Sequence, residues 1–415
     1  MLSHFFEAHA RVREIRSNPC GALIEGFAGY LFENGYAEIS ARRHIRSAEH
    51  IVRWATRSQL SASEMDDRAL ERFGHHLKRC RCGRYCRSNR REIITGARLF
   101  LRHSQGVDTA LIRMPIPPDS KPPLLNSFGQ WMREHRGTSE LTIYNYGLPI
   151  QELIHRYGDD PGKLDAKRLR NFVLTQARHV GWATAKRCTT ALRMFLRFLI
   201  AEGRCRAGLL AAIPALAHWR LSSLPRYLPP EAVERVIKSC DMSSPVGKRD
   251  RAILLLLARL GLRAGDIVQM RLKDLDWKEA WIHVSGKGRR ETRLPLTQEV
   301  GDAIVSYVQK SRPRSLHDTL FLRSRAPFRG FRSHAAVSEI VATAIRRAAI
   351  KRPGRGAAHL LRHSVASSML RQGASLQEIS TLLRHRSIET TQIYAKIDVT
   401  ALQQIAQPWP EVWSC

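Results

Sequence analysis

The most specific stretch of the sequence is His359-Leu360-Leu361-Arg362-His363-Ser364. On a helix, residues three positions apart share a face, so His359 and Arg362 can contact one phosphate together. A lone His-x-x-Arg pair is weak evidence for a phosphate-binding site. Its weight here comes from the residues that follow it, because the apolar runs Ala366–Leu370 and Ile379–Leu383 lead to another histidine, His385.

A tyrosine stands nine positions after His385, in Thr390-Thr391-Gln392-Ile393-Tyr394-Ala395. A tyrosine hydroxyl, with a pKa of about 10, is a poor nucleophile unless neighbouring cations lower the cost of forming its anion. Taken alone, Tyr394 is best interpreted as a residue of an amphipathic helix with a solvated hydroxyl. The basic residues upstream change that interpretation.

The first of these basic residues is Arg263. The run Ala252–Leu260 predicts a buried helix that leads into Gly261-Leu262-Arg263-Ala264-Gly265-Asp266. An arginine suits phosphate binding because its planar fork donates two hydrogen bonds and stays charged at any working pH. Alone, Arg263 with the nearby Asp266 would be an ordinary solvated ion pair.

The second is Lys287, in a predicted hairpin. Trp281-Ile282-His283-Val284 is strand-like, Ser285-Gly286-Lys287-Gly288-Arg289 is a turn, and Thr292-Arg293-Leu294-Pro295-Leu296 resumes the strand. Lys287 then lies at the hairpin tip, where its ammonium can protonate a leaving oxygen. The alternative is a generic basic turn.

Together these residues supply what a metal-free cut of a phosphodiester requires. Such a cut through a covalent intermediate needs a nucleophile, cations on the non-bridging oxygens, and a proton for the leaving 5′ oxygen. The candidate catalytic residues are Arg263, Lys287, His359, Arg362, His385 and Tyr394. Acidic residues are scarce and no carboxylate cluster suits a metal-dependent reaction, so no cofactor is predicted.

The order, spacing and surroundings of these residues resemble the tyrosine recombinase, or phage integrase, family, including its transposon-associated, XerC/XerD-like members. The resemblance implies that Tyr394 attacks the scissile phosphate to form a 3′-phosphotyrosyl link and that Lys287 is the general acid. It implies that the two arginines and the two histidines stabilise the developing charge. Asp266 and His363 take supporting roles. The resemblance also implies that the recombinase serves the integration, excision or transposition of a mobile element.

One position departs from the family pattern. The family most often has glycine immediately before the second histidine, and this chain has Arg384. If the position requires a positive φ, arginine costs about 1 kcal/mol and could shift His385. If the position begins a helix, arginine is harmless and adds a phosphate contact. The second alternative is the prediction.

Two proline-containing segments divide the 415 residues into three predicted domains. Pro115, Pro117, Pro118, Pro122 and Pro123 rule out regular helix in the first linker. The domains are a helical arm (1–104), a helical core-binding DNA-binding domain (124–203) and a catalytic domain (227–415). The predicted fold class is mainly α, with a small antiparallel β-sheet or hairpin in the catalytic domain and one or two SAM-like helical bundles before it, α+β overall.

The first two domains carry matching apolar patterns, which predicts a duplicated helical bundle. Chance alignment of amphipathic helices is the alternative. The matched positions are Phe27 and Phe128, Tyr30-Leu31 and Trp131-Met132, Ile51-Val52 and Leu153-Ile154, Met65-Asp66 and Leu164-Asp165, and Phe100-Leu101-Arg102 and Phe195-Leu196-Arg197.

The formal charge of +31 predicts a polyanionic partner, double-stranded DNA. The N-terminus has no export signal and no apolar run is long enough to cross a membrane, so a bacterial cytoplasmic, nucleoid-associated protein is expected. By resemblance, four protomers act on two DNA sites, as a homo-tetramer or beside related recombinases. The tail with Pro408-Trp409-Pro410 and Trp413 is expected to dock onto a neighbour.

A basic cluster in the arm is predicted to contact DNA through Lys78, Arg79, Arg81, Arg84, Arg87, Arg90 and Arg91, with Arg384 as a further contact. Thiols and imidazoles interleave with it, and a structural zinc would stiffen the segment. The zinc candidates are Cys80, Cys82, Cys86 and His76. Their spacing fits no common zinc module, so reduced cysteines on a phosphate-contacting loop are predicted instead of a metal.

Two rival functions stay open. A type IB topoisomerase shares the chemistry and would relax DNA without exchanging strands. A catalytically silent DNA-binding accessory protein would keep its function after Tyr394→Phe. The paired helical domains and the filled chemical positions favour the recombinase.

Overall fold

The computed structural model describes residues 1–60, 64–80, 82, 85, 89–106, 122–216, 224–285, 291–354, 356–397 and 402–403. The chain forms two compact units, Met1–Thr109 with Ser223–Cys415, and Ala110–Ser222. Each of the three predicted domains has a hydrophobic core of its own. The bounds 1–104, 124–203 and 227–415 stay a prediction. In the described part of the chain, no helix has the length and apolar character to cross a membrane.

The arm is a helical bundle. Its helices are α1 (Leu2–Phe5), α2 (His9–Arg16), α3 (Gly21–Glu33), α4 (Glu38–Arg57), α5 (Asp67–Arg79) and α6 (Arg90–Ser104). Asp66 caps α5, because its Oδ1 accepts a hydrogen bond from the Ala69 N–H at 2.8 Å. In the core, the rings of Phe27 and Phe100 pack edge to face with centroids 5.5 Å apart.

The second unit repeats these features. Its helices are α7 (Pro123–Arg136), α8 (Glu140–Tyr157), α9 (Ala166–His179) and α10 (Trp182–Ala201). Asp165 caps α9 by accepting from the Arg168 N–H at 2.7 Å, and Phe128 packs edge to face on Phe195 at 5.4 Å. These contacts fall at positions matched in sequence. They support the duplication, which stays a prediction.

The exclusion of regular helix from the first linker needs correction. α7 begins at Pro123, where regular helix was excluded, since proline is tolerated in a first turn whose N–H has no helical acceptor. In the second linker, between the predicted domains 124–203 and 227–415, Ala207–Ala212 form a 3₁₀ helix, and Ile213 is buried in the core of the second unit. Residues 107–121 and 217–223 lie outside the described residues.

The catalytic part is helical around a small sheet. Its helices are α11 (Pro230–Lys238), α12 (Pro245–Leu260), α13 (Ala264–Gln269), α14 (Gln298–Lys310), α15 (His334–Arg347), α16 (Ala357–Arg371) and α17 (Leu376–Leu382). The strands are β1 (Leu275–Asp276), β2 (Trp281–Ser285) and β3 (Glu291–Pro295), in the antiparallel order β1-β2-β3. Ile282 pairs with Leu294 and Ser285 with Glu291. The predicted fold class and the strands of the hairpin are confirmed.

α12 is the central helix of this part. Its residues Ala252–Leu257 are all buried, as the apolar run predicts. It packs against α14 and α16. Because α12 ends beside α16, the residues that follow it lie close to the His359–Arg362 face.

Candidate active site

A left-handed glycine joins α12 to α13 and sets the position of Arg263. Gly261 has φ +57°, and a Cβ atom there would lie 2.7 Å from Cδ2 of Leu383. Backbone strain therefore disfavours a larger residue, and the Leu383 side chain would have to shift to make room for one. Arg263 then stands at the N-cap of α13, with its backbone N–H donating to Oδ2 of Asp266 at 3.1 Å.

Arg362 links three elements of the site. Its side chain lies in α16 and the residue is 5% exposed. The guanidinium donates to the carbonyl oxygens of Gly261 and Leu383, which follow α12 and α17. Burial, aided by the positive charges of Arg263 and Arg384, lowers the pKa of Arg362 to about 9. Arg362 is therefore still a cation at neutral pH.

Arg384 corrects the prediction made for it. It has φ +53°, so the prediction that it begins a helix is wrong. Its N–H donates to the carbonyl of Thr381 and the N–H of His385 donates to that of Ser380, each at 3.0 Å. This is the Schellman arrangement that ends a helix, and its left-handed position is the one glycine usually occupies. α17 ends there because Arg384 adopts that conformation.

The Arg384 side chain turns toward the site. Its guanidinium donates to Oδ2 of Asp266 at 2.5 Å, and both side chains are 7% exposed. Its own carbonyl accepts from Nη2 of Arg263 at 2.9 Å. The Nε and Nη1 atoms of Arg384 are buried and have no hydrogen-bond partner in the described part of the chain. Paired with Asp266 in this way, Arg384 positions the site and is not presented to DNA as an exposed contact.

This network concentrates positive charge. The guanidinium of Arg384 pairs with the carboxylate of Asp266, and those of Arg263 and Arg362 lie near enough to interact with it electrostatically, so three positive charges share one negative charge. Burial of the Arg263 guanidinium, followed by the charge of Arg384, lowers the pKa of Arg263, and Asp266 opposes that shift. Bringing an anion to the site would relieve the repulsion. A phosphate carries the charge and the acceptor oxygens that such a site binds.

Tyr394 lies beside α16, in a 3₁₀ helix formed by Gln392–Ile397. It is 1% exposed, and its hydroxyl shares a hydrogen bond of 2.7 Å with Nδ1 of His363. Burial raises the pKa of Tyr394 to about 12, and the charge of Arg362 opposes that shift. Burial also lowers the pKa of His363 to about 4, so this imidazole is neutral at pH 7.

The two remaining histidines flank the cations. Nδ1 of His385 lies 2.8 Å from Oγ1 of the buried Thr391. Burial, then the charges of Arg362 and Arg263, lower the pKa of His385 to about 4. His359 is exposed at the start of α16. Desolvation by the surrounding protein, then the charge of Arg362, lower the pKa of His359.

The structure therefore brings Arg263, Arg362, His385 and Tyr394 together with Asp266, and places His359 at the edge of the same group. Lys287, at the predicted hairpin tip, lies outside the described residues, as does the tail after residue 403. Sequence reasoning missed the contact between His363 and Tyr394. A signal existed, because His363 follows His359 by four positions and so lies near the same helix face.

Solved structures share this fold. The XerH site-specific recombinase in a post-cleavage complex with its palindromic difH substrate matches with a TM-score of 0.55 and 21% identity, covering 69% of this chain and 85% of that chain. A λ integrase (75–356) dimer bound to a COC′ core site matches with a TM-score of 0.53 and 20% identity, covering 70% and 97%. At such identities these likenesses describe the fold, which is that of tyrosine recombinases.

Sequence relatives extend the likeness over the whole chain. Residues 226–400 match the phage integrase family. A Sinorhizobium fredii protein, named as the integrase/recombinase y4rA, is 35% identical over 99% of both chains. The tyrosine recombinase XerD of Lacticaseibacillus casei is 32% identical over 66% of this chain and 94% of its own. The chain belongs to the phage integrase family of tyrosine recombinases. The predicted activity, site-specific DNA recombination, is confirmed, and the topoisomerase and accessory alternatives are not favoured.

Proposed function

We propose that this recombinase cuts DNA with Tyr394 and holds the scissile phosphate on the guanidinium groups of Arg263 and Arg362. The observation that carries the proposal is the excess of positive charge around Asp266, next to a tyrosine hydroxyl. An isolated buried cluster of three guanidinium groups is unfavourable, and a bound phosphodiester supplies the missing negative charge. The same cations lower the cost of the tyrosyl anion.

The reaction balances as a transesterification. The Oη atom of Tyr394 forms a bond to phosphorus, and the bond from phosphorus to the 5′ oxygen breaks. Lys287 gives its proton to the leaving 5′ oxygen. The 5′ hydroxyl of a partner strand then attacks the phosphotyrosine and reverses the step. The ester conserves the bond energy, so the exchange itself consumes no nucleotide cofactor.

His363 is hydrogen-bonded to the Tyr394 hydroxyl, and we assign to it the role of accepting the tyrosine proton. Its neutral imidazole, hydrogen-bonded to the Tyr394 hydroxyl at 2.7 Å, is the form that can accept a proton. A bound phosphodiester raises the pKa of His363, because negative charge nearby favours the imidazolium. We assign to His385 and His359 hydrogen bonds to the phosphate oxygens.

Substrate binding is assigned to the basic surface. Lys78, Arg79, Arg90 and Arg91 are exposed around the end of α5 and the start of α6. Arg81, Arg84 and Arg87 lie outside the described residues. With a formal charge of +31, the chain is suited to double-stranded DNA, and this term of the affinity depends steeply on salt.

We assign the enzyme to the movement of a mobile element in a bacterial cell, acting in the cytoplasm at the nucleoid. The y4rA relative shares the arm, because it matches 99% of this chain, whereas the XerD relative matches only 66%. The arm is therefore an addition to a Xer-type core. We propose four protomers on two DNA sites, as in the λ integrase tetramer bound to a Holliday junction, which shares this fold at 19% identity and a TM-score of 0.52.

A suicide substrate tests the chemistry. Purified protein is mixed with a nicked duplex that carries the ends of its native element, in the presence of EDTA. The expected result is a protein–DNA adduct that resists denaturation and is lost in Tyr394→Phe. Tyr227→Phe is the matched control, since Tyr227 is a half-buried tyrosine of the same domain that contacts Arg371.

The outcomes separate the rival functions. Tight binding without an adduct in the unmodified protein would favour the accessory alternative. An adduct together with relaxation of supercoiled DNA and no strand exchange would favour the topoisomerase alternative. An adduct that survives in Tyr394→Phe would refute the assignment of the nucleophile.

A further inference from the structure

Four metal-ligating side chains meet in the arm, away from the active site. They are His50 in α4, His76 in α5, and Cys80 and Cys82 just after α5. One ligand atom from each lies within 4.8 Å of the corresponding atoms of the other three. Nε2 of His50 is 3.4 Å from Sγ of Cys80. We propose that this cluster binds a structural zinc ion.

The local fold explains why the four side chains converge. His76 and Cys80 are four residues apart at the end of α5, so they lie on one side of the helix. The chain then turns back, and the N–H of Cys82 donates to Sγ of Cys80 at 3.3 Å. His50 reaches the same point from the neighbouring helix and is 1% exposed. Two segments therefore supply the ligands: α4, and the stretch that runs from the end of α5 to Cys82.

The distances suit a tetrahedral ion. Bonds from zinc of about 2.0 Å to nitrogen and 2.3 Å to sulfur place neighbouring ligand atoms roughly 3.3–3.8 Å apart. The pair at 3.4 Å already satisfies this, and the widest pair must close by only about 1 Å. Two imidazoles and two thiolates in a tetrahedron select zinc over the hard cations, which prefer oxygen.

Two imidazole nitrogens of the cluster lack partners. Nδ1 of His50 and Nε2 of His76 are buried and have no hydrogen-bond partner among the residues described. A buried polar atom without a partner typically costs about 1–3 kcal/mol. Coordination of the His76 ring to an ion through Nε2 would remove the cost at that atom. The rings of Phe73 and Tyr85, with centroids 5.0 Å and 5.1 Å from that of His50, keep the cluster partly dry.

The role of the ion follows from its position. Cys80 and Cys82 lie near the start of the basic segment, residues 78–91, between Arg79 and Arg90. Zn²⁺ with two thiolates carries no net charge, so it adds nothing to the repulsion among the arginines. It would join the start of that segment to α4 and α5 and so hold the exposed cations in one arrangement for DNA. The proposal departs from the sequence-based prediction of no metal. The candidate set considered there lacked His50 and included Cys86, which lies outside the described residues.

The test measures metal in full-length protein without an affinity tag, purified under reducing conditions and passed over a chelating resin. One zinc ion per chain is expected by elemental mass spectrometry. Cys80→Ser and His76→Ala should lose it. His75→Ala and Cys205→Ser are the matched controls, an exposed neighbour of His76 and a half-buried thiol in the second unit, and they should retain it. Cobalt substitution should give a thiolate charge-transfer band that Cys80→Ser abolishes.

Because a ligand variant can fail to fold, the unmodified protein provides a second test. A strong chelator should release the zinc and speed proteolysis between residues 78 and 91, and added zinc should reverse that change. Folded protein that contains no zinc, and whose melting temperature does not respond to zinc, would overturn the proposal. So would a disulfide between Cys80 and Cys82, or zinc lost equally from His75→Ala. None of these measurements requires recombinase activity.

Discussion

Arg384 offers a sharp test of the site, because its backbone and its side chain contribute with opposite signs. The backbone is left-handed at φ +53°, which costs an ordinary residue about 1 kcal/mol relative to glycine. The side chain pairs with Asp266 in a setting where both groups are 7% exposed. Two substitutions, Arg384→Ala and Arg384→Gly, both remove the guanidinium, but only glycine removes the strain.

The magnitudes can be worked from these contacts. Breaking a buried ion pair from one side costs about 3–5 kcal/mol. The lower end applies here, because Arg263 and Arg362 stay near Asp266 and keep its carboxylate compensated. Arg384→Ala should therefore destabilise the catalytic domain by about 3 kcal/mol. Arg384→Gly should destabilise it by about 1 kcal/mol less than that.

Thermal unfolding followed by calorimetry measures the difference. For a domain of this size, 1 kcal/mol corresponds to a Tm difference of about 2–4 °C. The glycine variant should melt above the alanine variant by that amount, and both should melt below the unmodified protein. Equal melting temperatures, or alanine above glycine, would refute the left-handed conformation. Melting of both variants at the temperature of the unmodified protein would refute the ion pair.

Three further predictions concern the same site. Gly261→Ala should lower the free energy of unfolding by about 2–4 kcal/mol, because the alanine would be left-handed and would overpack against Leu383. Gly265→Ala is the control and should be tolerated, because a Cβ atom there meets no atom within 4 Å. Equal unfolding midpoints for the two variants would contradict this prediction. Arg263→Lys should slow adduct formation about 100-fold while the exposed control Arg271→Lys leaves the rate unchanged; matched rates would exclude Arg263 from the phosphate site. Finally, the folded-state pKa values of His363 and His385, about 4 against an ordinary 6.5, mean that the unfolded chain binds more protons between those values. Stability should be full above pH 6.5 and fall toward pH 4, and His363→Gln should flatten this dependence of Tm; an unchanged profile would show that His363 titrates normally.

Much of the catalytic domain could be predicted because local signals agreed with the fold. The apolar run Ala252–Leu257 is long enough that only a buried helix accommodates it, and α12 is that helix. The two hairpin strands were predicted from their residues, and in the structure Ile282 and Leu294 pair with each other and are both buried. The His-x-x-Arg spacing placed two side chains on one helix turn without any knowledge of the rest.

The errors arose where a residue depends on distant parts of the chain. Whether Arg384 begins a helix or ends one depends on where α17 stops, and the pairing with Asp266 joins positions 118 residues apart. His50 is likewise far in sequence from Cys80, 30 residues away, and its helix shows it only as a residue of the buried face. Pro123 was misjudged for a local reason, because a proline that breaks a helix interior also begins one well.

The most direct measurement of the central claim is to locate the covalent bond. Adduct from the suicide substrate is digested with nuclease and protease, and the peptide that carries the residual nucleotide is sequenced by tandem mass spectrometry. A 3′-phosphonucleotide is expected on Tyr394 and on no other tyrosine. A nucleotide attached to Tyr227, Tyr307 or any side chain other than Tyr394 would contradict it.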